Sequence, residues 1–211
     1  MSIGFQWRGR WWLAAASGLV ATLPQLRAAA PQSAPAQGSG QAPRVSLAEI
    51  KTTPGASLMM PLSLTPDPKN PLRSLTVEIG FVSKSLVFQK TSRGLAAELA
   101  NADIQANLIE GPPDDKGLKR ATLRITASLP EPPPKEGLPD GLLAYLLFQV
   151  SEDAQPLTIK LTPAVVSAND LSTPPKKVSN VGADAGVVVI EALDDVYQRL
   201  APELACFFFS H

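Results

Sequence analysis

The sequence predicts an all-β protein of the β-sandwich class, and three observations carry that prediction. First, Leu75-Thr76-Val77-Glu78-Ile79-Gly80-Phe81 places an apolar residue at every second position. Such alternation marks a strand with one face on a core and the other in water. Second, the pattern returns at Ile104–Leu108, Leu123–Ala127 and Leu157–Leu161. Third, Pro, Gly and Asp turns separate these segments, as in sandwiches built of many short strands. The outward residues of the four segments are polar and varied, which suits a sheet face used for binding.

Taken in order, the chain offers nine strand candidates: Val45–Ile50, Leu58–Leu64, Leu75–Val82, Leu86–Gln89, Ile104–Ile109, Ala121–Ser128, Leu142–Val150, Leu157–Val166 and Val187–Glu191. Gly94–Asn101 predicts one short helix, with Leu95, Glu98 and Leu99 at helical spacing. The seventh candidate is ambiguous by periodicity. Its Leu142, Leu143, Leu146, Leu147 and Phe148 fit a buried helix as well as a strand covered on both faces. Pro130-Glu131-Pro132-Pro133-Pro134 and Pro174-Pro175 are expected in loops, because proline donates no ladder hydrogen bond.

The flanks differ from this domain, which is expected over residues 44–192. Residues 1–30 predict a secretory signal peptide: Arg8 and Arg10, an apolar run from Trp11 to Leu23, then Ala28-Ala29-Ala30. The run is short for a bilayer span. A retained amphipathic anchor is the alternative reading of this segment. Residues 31–43 (PQSAPAQGSGQAP) predict a flexible linker without charge. From Leu193 the period becomes helical through Val196, Tyr197 and Leu200, with Asp194-Asp195 placed at the helix start. Residues 193–211 thus predict a short C-terminal helix, ended by Pro202, and a Cys206-Phe207-Phe208-Phe209 tail expected to pack on the sandwich or on a partner.

Composition excludes several functions. Trp7, Trp11 and Trp12 are the three tryptophans, so the exported protein would have none. Removing Arg8, Arg10 and Arg27 leaves 16 of 19 basic residues against 19 acidic ones, a net charge of −3 that gives no reason to expect nucleic acid. One cysteine permits no internal disulfide. His211 is the one histidine and the last residue, which rules out His-based triads and multi-His metal sites within a chain. No Walker loop, G-x-G-x-x-G or C-x-x-C occurs. The acid pairs Asp114-Asp115, Glu152-Asp153 and Asp194-Asp195 fall in turns or at a helix start and suit solvation better than a glycosidase. The chain is expected to be no enzyme and to need no cofactor. Structural calcium on loop oxygens is the one metal candidate, at Asn169, Asp170 and Asp184 or at Asp67 and Asn70.

Asp140-Gly141-Leu142-Leu143-Ala144-Tyr145-Leu146-Leu147-Phe148-Gln149-Val150 resembles the strand "DGvLatitFkV" of cohesin domains at the same spacing throughout. Pro54-Gly55 followed by Leu58–Leu64 resembles the cohesin opening, and Leu75–Phe81 with Leu86-Val87-Phe88 is similar to its next two strands. Ala168-Asn169-Asp170 and Gly186-Val187-Val188-Val189 resemble its close. The resemblance implies a nine-stranded jelly-roll sandwich and makes the seventh candidate a strand. Where cohesins carry "yDp" before the fourth strand, this chain has Val82-Ser83-Lys84-Ser85, and its proline loops are long.

Cohesins capture dockerin modules on the face formed by their eighth, third, sixth and fifth strands. The resemblance therefore implies a partner-binding face of Thr76, Glu78, Gln105, Asn107, Thr122, Arg124, Thr126, Thr158, Lys160 and Thr162. It also implies an exported or cell-envelope module that scaffolds a dockerin-like protein partner, linked to polysaccharide breakdown. The competing expectation is a carbohydrate-binding module acting directly on a polysaccharide. Outside the signal, that alternative has only Tyr145, Tyr197 and six phenylalanines to stack on sugar rings.

Overall fold

A computed structural model of the chain describes residues 42–113, 115, 118–192 and 194. The predicted signal segment, the linker up to residue 41, and the C-terminal helix and Phe-rich tail beyond Asp194 lie outside the described residues. The described chain forms β1 (Arg44–Leu47), β2 (Glu49–Thr52), β3 (Ser57–Thr65), β4 (Leu72–Val82), β5 (Leu86–Arg93) and α1 (Leu95–Leu99), followed by β6 (Asp103–Pro113), β7 (Lys119–Ser128), β8 (Gly141–Val150), β9 (Leu157–Asp170), β10 (Gly182–Asp184) and β11 (Gly186–Ile190). A five-stranded sheet in the order β10-β1-β3-β8-β5 faces a six-stranded sheet in the order β2-β11-β9-β4-β7-β6.

Alternation dictates the packing. On β4, Leu72, Leu75, Val77, Ile79 and Phe81 are buried, and so are Ala121, Leu123, Ile125 and Ala127 on the neighbouring β7. From the other sheet β3 contributes Leu58, Met60, Leu62 and Leu64, and β8 contributes Leu146, Phe148 and Val150. Phe148 joins the layers: its ring meets Phe81 of the six-stranded sheet edge-on, centroids 5.4 Å apart, and Phe88 of its own sheet at 5.6 Å. The Pro-rich segment before β8 is a loop, as expected. It closes one end of the core by burying Leu138, whose N–H donates to the Leu72 carbonyl at 2.7 Å.

Two expectations are corrected. The candidate Val45–Ile50 is two strands in different sheets: β1 pairs with β3 and β10, β2 with β11. The Leu47-Ala48 step breaks the alternation, and there the chain crosses between layers. The ninth candidate likewise gains a partner, β10, across the Ala185 step, so the described residues hold eleven strands where nine were expected. The two crossings meet closely. A Cβ on Gly186 would lie 2.6 Å from the Leu47 Cβ, so no larger residue fits there without movement.

The short helix expected over Gly94–Asn101 forms as α1, which buries Ala96 and Ala97 and leaves Leu95 and Leu99 exposed. This short helix starts hard against β8, where a Cβ on Gly94 would sit 2.4 Å from the Leu142 carbonyl oxygen. At that distance only an alanine face fits inward. The seventh candidate is a strand, β8, with its Leu142, Tyr145 and Leu147 only half-buried on the outer side.

A candidate docking face and its cleft

The four strands with clean alternation lie side by side in the order β9-β4-β7-β6. Their register sets the outward residues in rows. Thr76 faces Ser167 on one side and Thr126 on the other, and Thr126 faces Gln105. The next row is Ala164, Glu78, Arg124 and Asn107, and the third is Thr162, Gly80, Thr122 and Ile109. Thr158 and Lys160 continue the β9 edge of the face, opposite Val189 and Val187 of β11. All ten residues singled out from the sequence thus stand on the same outer surface. Among the described residues no aromatic side chain joins them.

The charges on this surface are not independent. The Arg124 guanidinium donates from Nε (2.9 Å) and Nη2 (2.5 Å) to Glu78 Oε1 across the β4–β7 ladder. An exposed pair of this kind contributes about 0–1 kcal/mol to stability. It ties two long side chains to each other across the ladder instead. Ile109 joins the face although the sequence reading did not single it out. It is the next outward position after Gln105 and Asn107, and its register with Thr122 puts it on the same outer surface, where it is exposed.

Beyond Gly80 and Thr162 the face opens into a cleft of about 880 Å³, lined by Thr122, Thr158, Lys160 and Thr162 together with Lys84, Arg120, Asp153 and Gln155. The second group comes from the β4–β5 turn, the start of β7 and the β8–β9 loop. No periodic signal marks such loop and strand-end residues.

The calcium candidates have other partners. Asp67 accepts the Lys69 backbone N–H at 2.9 Å and the Asn70 side-chain amide at 2.6 Å, which hold its carboxyl below the ordinary value of 3.8. Asp170 is lowered for the same reason, first by the Ser172 hydroxyl at 2.6 Å and then by the Lys176 backbone N–H at 2.8 Å. Asn169 donates to the Ser74 hydroxyl, and Asp184 pairs with Arg44. Among the described residues no three His, Cys, Asp or Glu side chains converge as a ligand set. Asp67 and Asp170 stabilise turns, and Asp184 ties β10 to β1.

No protein-family model and no curated protein matches the sequence. Solved structures do match the fold. A type I cohesin–dockerin complex from Clostridium thermocellum superposes with a TM-score of 0.57 at 18% identity, covering 72% of this chain and 100% of that one. The third ScaC cohesin from Acetivibrio cellulolyticus, in complex with the ScaB dockerin, gives 0.55 at 18% identity, over 70% of this chain and 98% of that one. A non-cellulosomal cohesin from the archaeon Archaeoglobus fulgidus gives 0.51 at 14% identity, over 75% and 98%. The β-sandwich described here has the fold of cohesin domains.

Proposed function

We propose that this chain is an exported, non-catalytic binding module that captures a protein partner of dockerin type across the outer face of β9, β4, β7 and β6. The observation that carries the reading is the contiguous order of those four strands, which assembles ten polar residues on one outward surface. Two of the structurally similar cohesins were solved with dockerins bound. The polysaccharide alternative gains no support from a face without a described aromatic side chain. Among the described residues no helix is long and apolar enough to cross a membrane.

The test is retention of a secreted partner by the immobilised protein and by two variants. Arg124→Glu should lose the partner, and Met59→Lys, on the opposite sheet, should keep it. Equal retention by both variants sinks the reading. Export is tested separately by intact mass on protein from the medium or envelope. The species found there should lack Trp11 and Trp12, and retention of those residues would contradict signal removal.

A further inference from the structure

Past Gly80 and Thr162 the six-stranded sheet comes apart. The β4–β9 ladder ends at that pair, although β4 runs on to Val82 and β9 begins back at Leu157. Each wall of the gap keeps its neighbour on the far side: Phe81 and Val82 pair with β7, and Leu157 to Leu161 pair with β11. Along an antiparallel strand, successive residues turn their N–H and C=O to opposite neighbours. Flanking bonds fix which residues turn to the gap. Ser83 donates its N–H to the Lys119 carbonyl at 3.0 Å, so Ser83 and Phe81 turn to β7 and Val82 turns away from it. Val187 and Glu191 donate to the Ala48 and Thr52 carbonyls at 3.1 and 2.9 Å, so Gly186, Val188 and Ile190 turn to β9. Their partners Leu161, Ile159 and Leu157 turn back to β11, which leaves Thr158 and Lys160 turned to the gap. Pro163 keeps this phase: its missing N–H falls on the β11 side, beyond the end of that ladder. Among the described residues, the backbone groups of Val82, Thr158 and Lys160 therefore face an open slot without a strand to pair with.

The side chains around the slot divide by chemistry. Phe81, Leu157 and Ile159 form an apolar inner wall, and the exposed Lys84, Arg120 and Lys160 stand on the rim against one described acid, Asp153. None of the three cations forms an ion pair with a described acid. An unpaired strand edge is a template for another strand. We infer that the cleft takes an extended acidic segment of a partner protein, added as a strand along the Thr158–Lys160 edge of β9. Its main chain meets the free N–H and C=O groups, and its side chains alternate, apolar inward and carboxylate outward to the cations. A small anion fits less well, because it would accept from the N–H groups and leave the carbonyls beside them without a donor. The cleft's volume of about 880 Å³ lies within the range of about 300–1,000 Å³ usual for ligand sites.

Thr158 and Lys160 also stand on the proposed docking face, but the slot is tested without a folded partner. The probe is a short synthetic peptide, valine alternating with aspartate and both ends blocked, added to the isotope-labelled full chain. Hydrogen exchange at the Thr158 and Lys160 amides should slow about tenfold or more. Amides on the free edges of β5 and β6 should exchange as before. The same peptide with lysine for aspartate should bind about tenfold more weakly. So should the aspartate peptide methylated at every amide nitrogen, which keeps its charge and side chains but gives no N–H. The double variant Lys160→Glu/Arg120→Glu should reverse the preference between the aspartate and lysine peptides. Lys135→Glu/Lys176→Glu, an equal change of charge at the end where β4 begins, should not. Equal binding of the methylated peptide overturns the added strand, and equal binding of the lysine peptide overturns its acidic chemistry. Protection at β5 or β6 in place of β9, or none at millimolar peptide, overturns the site. So does strong protection of Thr158 and Lys160 before any peptide is added, which would place residues of this chain in the slot. Each of these failures leaves the docking face to its own test, the loss of a secreted partner by Arg124→Glu.

Discussion

The two sheets bury similar cores but turn opposite chemistries to solvent. The outer face of the six-stranded sheet is a lattice of Thr, Gln and Asn around one Arg–Glu pair. On the five-stranded sheet, Met59 stands opposite Leu147 and Pro61 opposite Tyr145, while Val87 lies opposite Gln149. Met59 is 58% exposed and Val87 44%. Antiparallel sandwiches commonly expose one solvated face of each sheet, and here one of the two is apolar in its centre. Buried apolar area alone therefore does not say which face binds. A polar, ordered surface suits a reversible partner, whereas an exposed apolar stripe suits association of another kind.

The sharpest way to break the comparison is to attack the interior behind each face. Leu123 on β7 and Leu146 on β8 are both fully buried, one beneath each outer surface. Aspartate at either position buries a carboxylate without a partner, a cost of several kcal/mol, comparable with the whole stability of a domain at about 5–15 kcal/mol. Leu123→Asp and Leu146→Asp should both abolish the cooperative thermal transition seen by circular dichroism. Survival of either would show that its sheet contributes little to the common core.

Acid should act on one turn from each side. Asp67 follows β3 of the five-stranded sheet, and Asp170 ends β9 of the six-stranded sheet. Both carboxyls titrate lower in the folded state than in the unfolded chain, so the unfolded state binds more protons in that window. Their contribution is complete above the unfolded value of about 4 and is lost as pH falls through the folded values. The melting temperature should hold from neutral pH down to that value and then drop. Asp170→Ala should flatten the drop more than Asp67→Ala, because Asp170 accepts from the Ser172 hydroxyl, the Ser172 N–H and the Lys176 N–H, and Asp67 from two donors only. Unchanged acid slopes in both variants would shift the cause to other carboxylates.

Much of this architecture was legible because half-buried strands write their burial into alternate residues. Leu75–Phe81 and Leu123–Ala127 needed no other information. What escaped is non-local or off-period. The Leu47-Ala48 doublet, Gln89 and Val166 each shift the alternation by one residue, at a crossing or a bulge. A periodicity read over longer windows averages such shifts away. The Glu78–Arg124 pair joins residues 46 apart and exists only once register is fixed. The cleft arises where two strands part, which no residue pattern announces.

Replacing Met59 by lysine probes the apolar face directly. The side chain is mostly in solvent, so stability should change by no more than about 0.5 kcal/mol. Self-association at high concentration should decrease, as measured by sedimentation velocity. An unchanged sedimentation profile would mean that the stripe drives no association of this chain.

The smallest effect on stability, and the most telling for the comparison, is expected from reversing the Glu78–Arg124 pair. Arg124→Glu alone puts two carboxylates opposite each other across the β4–β7 ladder. Cross-strand like charges at exposed positions cost on the order of 0.2–1 kcal/mol, so the melting temperature should fall only slightly. Adding Glu78→Arg restores an opposite-charge pair with its polarity inverted and should recover that loss. Partner affinity should behave differently. A partner that reads the positions of the two charges sees them exchanged, so the double variant should bind as poorly as Arg124→Glu while melting like the wild type. Recovery of affinity together with stability would mean that the pair only holds the strands. Docking would then have to rest on the Thr, Gln and Asn rows around it.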